Sequence, residues 1–328
     1  MSSSGEILKN FQPRLLKARA IAAILHPKFP AMKYIFSVCI LSATLLLHSC
    51  GPDKPGNAGT STNTTKGGTS AVQKDSAQPA PGQPVADAAT ILGRKEVPVL
   101  CYHHIYDVPK ATREYDVSVI EFKKQLKMLH DSGYHAILPD QLYNYLAFGT
   151  ALPEKPFMLT YDDTDVEQFT VAKAEMDKYG FKGVYFIMTI SIGRPRYMSK
   201  EQIRQLADEG HAIESHTWRH DRVDKYISTP HIDKGTNKMV ENDWDLQLGT
   251  QRKRLEEISG KPIHYFAYPF GIWSKEGIPE LKKRDIRMAF QLSTKRDPEE
   301  PLHTVRRIIV PPTWSAEGLL RVMRSSFH

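Results

Sequence analysis

Phe157-Met158-Leu159-Thr160-Tyr161-Asp162-Asp163 reads as a buried apolar strand that ends on two consecutive carboxylates. A short, nearly continuous apolar run is what a strand of a parallel sheet covered on both faces looks like, and enzymes built on such sheets carry their chemistry where the strands end. Further along, His216-Thr217-Trp218-Arg219-His220 sets two imidazoles four residues apart, a spacing that lets both point at one ion from a single helical turn. Two His and one Asp make a metal site with open positions. The second Asp is then left beside the ion and free to move protons.

Outward from these stretches the pattern keeps alternating. Strands are expected at Val97 to Tyr102, 157–163, Gly183 to Met188, His211 to His216, Tyr265 to Tyr268, Met288 to Leu292 and Val305 to Val310. Helices are expected at Val119 to Ser132, 165–179, Ser199 to Asp208, Asn237 to Ser259, Lys275 to Lys283 and Ser315 to Met323; Ser199 serves as an N-cap, and Gly133, Gly180, Gly210 and Gly260 as stops. Unbroken alternation predicts a single α/β domain over 96–328. Closure into a barrel is expected, because the candidate functional residues fall at the C-terminal ends of several strands. The chain has no internal repeat and no glycine-rich phosphate loop, which argues against a nucleotide as partner.

The 328 residues, 41% hydrophobic and 25% charged, are ordinary for a globular chain. The formal charge of +7 would suit a nucleic-acid binder, but residues 1–49 hold Lys9, Arg14, Lys17, Arg19, Lys28 and Lys33 against one acid, Glu6. The rest is nearly balanced and has no basic stripe, so nucleic acid is not an expected partner. Met32-Lys33-Tyr34, the apolar block Ile35 to Leu47 and His48-Ser49-Cys50-Gly51 read as a signal peptide, with Met32 as the true start and 1–49 as leader. The apolar block is shorter than the ~20 residues that span a bilayer. Leu47-His48-Ser49-Cys50 resembles a bacterial lipobox, which implies a lipid on Cys50 and a protein anchored to a membrane of the cell envelope; the alternative is a cytosolic protein with an amphipathic helix at residues 5–25. Residues 50–95, rich in Gly, Pro, Ser and Thr, read as a flexible tether. With Cys39 removed and Cys50 lipidated, Cys101 has no partner for a disulfide.

Three segments together carry a family resemblance: Thr160-Tyr161-Asp162-Asp163, His216 to His220, and Phe266-Ala267-Tyr268-Pro269-Phe270-Gly271. Their order and spacing resemble the polysaccharide deacetylases (NodB homology, carbohydrate esterase family four) over essentially all of 96–320. The opening Val97-Pro98-Val99-Leu100-Cys101-Tyr102-His103-His104-Ile105 looks like the branch that acts on poly-β-1,6-N-acetylglucosamine and related exopolysaccharides. The resemblance implies a distorted (β/α) barrel and a metal-dependent hydrolase that removes N-acetyl groups from a β-linked N-acetylglucosamine polysaccharide, exopolysaccharide first and peptidoglycan second, releasing acetate. It makes Asp162 the general base, Asp163, His216 and His220 the metal ligands, and the Phe270 N–H a donor to the oxyanion. The chemistry explains the residue types: an amide is a poor electrophile, and a divalent ion polarises its carbonyl and acidifies a bound water. Zinc is the expected ion; cobalt, nickel, manganese and iron also suit two His and one carboxylate.

Three departures from the family pattern stand out. Thr164 replaces the usual Gly after the Asp pair, which puts a Cβ at a position suited to φ > 0. Ala267 stands where many members carry an Arg that orients the base. Arg306-Arg307-Ile308-Ile309-Val310-Pro311 lacks the His that many members use as general acid, and His103 is expected to substitute, ahead of His104 and His303. Tyr268, Trp273 and Trp314 are expected to offer aromatic faces to sugar rings. The competing readings are a carbohydrate-binding protein that keeps the fold without turnover, and an O-acetyl esterase on another glycan.

Overall fold

The computed structural model describes residues 82–108 and 114–327. The leader, the lipidation site Cys50 and the tether through residue 81 lie outside the described residues. The last part of the expected tether does not behave as one. It contains α1 (Ala88–Gly93), capped by the Asp87 carboxylate, which accepts from the Thr90 N–H at 2.7 Å. Ile91 is buried with Leu142 and Leu146, the Ala86 N–H donates to the Ala147 carbonyl at 2.8 Å, and the Arg94 guanidinium donates to the Tyr145 carbonyl at 2.6 Å. One apolar side chain and a few backbone bonds dock a segment whose composition alone reads as linker.

β1 (Val99–Tyr102) is followed by β2 (His104–Tyr106) and β3 (Asp116–Ser118), which pair with each other, and by α2 (Val119–Asp131), where the Ser118 hydroxyl accepts from the Glu121 N–H at 3.1 Å. β4 (His135–Ala136), α3 (Pro139–Phe148) and β5 (Pro156–Tyr161) come next; α3 begins on Pro139, whose missing N–H costs nothing in the first turn. A π-helical turn, Gln168–Lys173, runs into α4 (Ala174–Asp177), then β6 (Val184–Ile187), α5 (Lys200–Asp208) and β7 (Ala212–Ser215). β8 (His231–Asp233) and β9 (Lys238–Val240) form an antiparallel hairpin, and a second π-helical turn, Asp245–Thr250, leads into α6 (Gln251–Ser259). β10 (Tyr265–Ala267), α7 (Gly277–Lys283), β11 (Met288–Gln291), β12 (Val305–Arg306), β13 (Ile308–Ile309) and α8 (Ala316–Ser326) complete the chain. No helix among the described residues is long and apolar enough to cross a membrane.

The hairpin corrects the long helix expected from Asn237 to Ser259. Lys234-Gly235-Thr236-Asn237 carries turn chemistry: the Asp233 carboxylate accepts from the Thr236 N–H at 2.7 Å, and Asn237 sits at φ +53°. The helix starts only beyond Asn242, whose side chain accepts from the Asp245 N–H at 2.9 Å. Its expected packing face holds, since Trp244, Leu248, Leu255 and Ile258 are all buried.

The main sheet is parallel throughout, in the order β12-β11-β10-β7-β6-β5-β1-β13, with β4 added beside β5. Its two ends are consecutive in sequence. Val305 and Arg306 pair with Phe290 and Gln291 on β11, whereas Ile308 and Ile309 pair with Leu100 and Cys101 on β1. One extended run that changes partner at Arg307 thus closes the sheet into a distorted (β/α) barrel. Strand parity sorts the side chains. Leu100, Tyr102, Leu159 and Tyr161 pack outward with α2 and α5 residues, while Val99, Met158, Phe186, Phe290 and Val305 fill the other face.

If residues 82–95 belong to the fold, Ile91→Ala in the full chain lowers the urea unfolding free energy by about 2–3 kcal/mol. Val85→Ala, at a residue 47% exposed, changes it by less than about 0.5 kcal/mol. Equal stability of the two variants would restore the tether reading.

Candidate active site

The parity that fills the barrel also decides which side chains meet at its mouth. On β5 it runs Met158, Thr160, Asp162; on β1, Val99, Cys101, His103; on the closing run, Val305, Arg307. The Arg307 guanidinium grips Asp162 with two bonds, Nη1 to Oδ1 at 2.7 Å and Nη2 to Oδ2 at 2.8 Å, reaches Thr160 Oγ1 at 3.2 Å, and lies over the Phe186 ring. Both partners are buried. Burial alone would raise the Asp162 carboxyl, but the Arg307 guanidinium and then His216 outweigh it and hold it at about 2. Ala267 leaves β10 without a guanidinium, and the last strand supplies one instead. Arg307 stands on the strand where the family resemblance implies a His; its signal there is a charge sharing the inward face of an apolar strand with Val305 and Ile309.

Parity would turn Asp163 away from this mouth. Instead the strand stops at Tyr161, and Asp163 and Thr164 adopt φ of 72° and 74°, which swings the second carboxylate back as the shared role required. Asp163 Oδ1 lies 3.5 Å from His216 Nε2 and 3.4 Å from His220 Nε2. Left-handed backbone costs a residue with a Cβ roughly 1–2 kcal/mol. Thr164 offsets this with its buried hydroxyl, which accepts from the Met188 N–H at 2.8 Å.

His216 and His220 do not share a helical turn. They sit on an irregular loop after β7, with Thr217 and His220 left-handed and the Thr217 hydroxyl accepting from the His220 N–H at 2.8 Å. The loop still brings the rings to 4.7 Å. His216 Nδ1 faces the Ala267 carbonyl at 2.8 Å and so donates to it, which fixes the tautomer that leaves a lone pair on Nε2. That Nε2 and Asp163 Oδ1 are both buried without a hydrogen-bond partner. Burial, with His216 alongside, lowers His220 to about 4, so this ring is neutral near pH 7; burial would lower His216 as well, but the Asp162 and Asp163 carboxylates outweigh it and raise it. One ligand atom from each of Asp163, His216 and His220 can be chosen with all three within 4.8 Å of one another. Two orphaned buried acceptors beside a third neutral donor are what a divalent cation would satisfy, and the residues fit one.

Among the described residues two other groupings have ligand-like spacing, and both already hold a cation. Cys101, His103 and Asp162 share the carboxylate that Arg307 holds. Asp177, Glu209 and His211 surround the Lys173 ammonium, 2.7 Å and 2.5 Å from the two carboxylates, and His211 Nδ1 accepts from the Gly183 N–H.

His103 Nε2 lies 3.9 Å from Asp162 Oδ2, with the Tyr115 ring 4.9 Å from its own; burial lowers its pKa and keeps it neutral. His104 is taken up by Asp165, and buried His303 directs Nε2 to the Ile286 carbonyl at 3.0 Å, so both read as structural. Phe270 stands on a left-handed corner at φ 60°, its ring 59% exposed and 4.5 Å from that of His220. Gly271 follows at φ +66°, where a Cβ would lie 2.3 Å from Leu292 Cβ, so this corner admits only glycine. Tyr268 is a correction: it is 1% exposed and its hydroxyl donates to the His303 carbonyl at 3.0 Å, so it cannot face a sugar. Trp273 and Trp314 are half-buried against hydrophobic clusters.

Residues 149–289 match the family model described as polysaccharide deacetylase. The chain is 24% identical over 216 residues to the poly-β-1,6-N-acetyl-D-glucosamine N-deacetylase of Staphylococcus aureus strain MRSA252, covering 63% of this chain and 72% of that one. Its fold is similar to that of the deacetylase PplD of Streptococcus pyogenes, with a TM-score of 0.60, 20% identity, and coverage of 69% of this chain and 97% of that one. It is also similar to that of IcaB from Ammonifex degensii, with a TM-score of 0.56, 24% identity, and coverage of 71% and 98%.

Asp162 moves from 3.8 in the unfolded chain to about 2 in the folded one. Its stabilisation is therefore complete above the higher value and is lost as pH falls through the lower. Urea unfolding between about pH 5 and 2 is expected to show this loss in the wild type and a shallower one in Asp162→Asn. Arg307→Met, which strands a buried carboxylate, is expected to cost about 3–5 kcal/mol at neutral pH.

Proposed function

We propose, for a chain that belongs to the polysaccharide deacetylase family, that this site is a metal-dependent N-deacetylase acting on a β-linked N-acetylglucosamine polysaccharide. The observation that carries the reading is the convergence of Asp163, His216 and His220 around two orphaned acceptors, with the Asp162 carboxylate 3.8 Å from His216 Nε2. A divalent ion held by those three residues, zinc first among the candidates, would polarise the amide carbonyl and acidify a bound water. Asp162, kept ionised by Arg307, is placed to accept the proton of the attacking water. The Phe270 N–H, on its left-handed corner beside His220, is the proposed donor to the oxyanion. Neutral His103, 3.9 Å from the same Asp162 oxygen that faces His216, is the proposed source of the proton for the departing amine.

The order of contacts across the mouth bears on the substrate. Tyr115 lies tilted against His103, His103 neighbours Asp162, Asp162 neighbours His216, His216 neighbours His220, and His220 neighbours Phe270. Exposed Tyr115 and Phe270, at the two ends of this series of contacts, are the proposed aromatic faces for the C–H faces of pyranose rings, a role that buried Tyr268 cannot fill. Trp273 and Trp314 are further proposed contacts. The printed name of the staphylococcal relative and the Val97 to Ile105 opening favour poly-β-1,6-N-acetylglucosamine over peptidoglycan. The lipobox-like ending at Cys50 supports a lipid-anchored protein of the cell envelope. The same site could attack an O-acetyl ester, and ester and amide oligomers assayed side by side separate the two.

Mass spectrometry of N-acetylglucosamine oligomers should show loss of acetyl groups with the wild type, and at least about a hundredfold slower loss with Asp162→Asn. Asp163→Ala should lose bound metal by elemental analysis. A metal-loaded wild type inert on several such oligomers would instead support the carbohydrate-binding reading. Tyr115→Ala is expected to raise KM severalfold while kcat is kept; an unchanged KM would remove Tyr115 from the glycan surface.

A further inference from the structure

We propose that two buried glutamines, Gln247 and Gln168, are positioning residues of this centre: Gln247 sets the loop that carries the two histidines, and Gln168 sets the backbone beneath the base and His103. The inference rests on the metal-dependent reading above. Neither side chain reaches the ion or the glycan; each acts through the backbone of residues that do.

Gln247 lies within the π-helical turn Asp245–Thr250 and is fully buried. It bonds the ligand loop three times, twice between His216 and His220 and once at Asp221 just beyond. Its Oε1 accepts from the Arg219 N–H at 3.0 Å, its carbonyl accepts from the Trp218 N–H at 3.0 Å, and its Nε2 donates to Asp221 Oδ2 at 2.7 Å. Asp221 in turn accepts from Arg219 Nε at 2.9 Å, and Arg219 also pairs with Asp233 on the hairpin. The loop is also tied by His216 Nδ1 on the Ala267 carbonyl, by the Thr217 hydroxyl under the His220 N–H and by the Ile190 N–H on the Trp218 carbonyl, and Gln247 anchors the stretch from Trp218 to Asp221. Removing the Gln247 amide takes the acceptor from the Arg219 N–H and leaves Asp221 held by the Arg219 guanidinium without its Gln247 donor.

Gln168 opens the other π-helical turn, Gln168–Lys173, and is equally buried. Its Nε2 donates to the His103 carbonyl at 2.9 Å and to the Asp162 carbonyl. Those residues follow β1 and β5 at the point where the ladder between the two strands ends, on the bond from the Asp162 N–H to the Tyr102 carbonyl. One amide thus extends the cross-strand tie by a residue and holds base and His103 in register. π-Helical turns make up well under 1% of residues and concentrate at functional sites, because the extra residue per turn rotates a side chain out of the α register. Here both turns place a buried amide on a catalytic loop.

The test is zinc affinity, measured by competition with a chromogenic chelator on the metal-free full chain, with kcat and KM measured at saturating zinc. Gln247→Met and Gln247→Glu are expected to bind Zn2+ about 10–100-fold more weakly than the wild type. Gln168→Met is expected to bind Zn2+ as the wild type does, but to lose about tenfold or more in kcat with KM unchanged. Gln125→Met is the comparison. Gln125 is just as buried and bonds the Tyr102 hydroxyl and the Trp314 carbonyl, both at 2.9 Å, away from the ligand loop. Its loss should leave zinc affinity unchanged. If Gln247→Met does not fold, Gln247→Glu carries the test, because it keeps the shape and the acceptor for Arg219 while losing the donor to Asp221. Wild-type zinc affinity in the folded Gln247 variants, or an equal weakening in Gln125→Met, would overturn the assignment for Gln247; wild-type kcat in Gln168→Met would overturn it for Gln168. A wild type that binds no Zn2+ would sink the metal reading itself, a result distinct from either.

Discussion

The paired bonds from Arg307 to Asp162 tie the strand that closes the barrel to the carboxylate at its mouth. Burying two charges is costly, and their attraction offsets the cost only when the geometry is good and the remaining polar atoms are engaged. Here the fork is bidentate, Thr160 shares the Nη1 donor, and the guanidinium rests on Phe186, while the buried Nε makes no hydrogen bond. The pair works in both directions. Arg307 sits where the closing run exchanges β11 for β1, so its partner steadies the seam, and Asp162 gains a cation that keeps it ionised in a site where burial would otherwise favour the neutral acid.

Around this pair the backbone is strained in the same few places where the chemistry gathers. Asp163, Thr164, Thr217, His220 and Phe270 all have positive φ, and each lies just beyond the C-terminal end of a strand. Such strain persists only where neighbouring structure over-determines it. The compensations are local and nameable: the Thr164 hydroxyl under Met188, the Thr217 hydroxyl under His220, and the space at Gly271 that Leu292 leaves to no Cβ. The departure from glycine at 164 is thus accommodated by a hydroxyl that does work a glycine could not do.

Much of this was legible in the chain. The apolar run 157–161 ending on two carboxylates, the strand–helix alternation and the histidine pair all depend on residues close in sequence; the barrel matches them, and Asp163, His216 and His220 lie together with Asp162 beside them. What escaped was decided at long range. Arg307 became visible as a partner of Asp162 only once the last strand was seen to close on the first. Tyr268 looked like a sugar platform until its hydroxyl was found on the His303 carbonyl. Residues 237–240 looked helical in a window that ignored the preceding Gly-Thr-Asn turn, and 88–93 looked like linker because a single Ile anchors them.

Apolar periodicity and the order of Asp162-Asp163, His216 and His220 were enough to determine the class of fold and to single out the residues of the proposed site, since both follow from local spacing and functional-group identity. Only the tertiary structure decided which strand completes the ring, which way Asp163 turns, and that Nε2 of His216 is left with an open lone pair. Those outcomes depend on backbone torsions and on hydrogen-bond partners such as Ala267, 51 residues from His216, and no stretch of sequence contains both ends of such a bond.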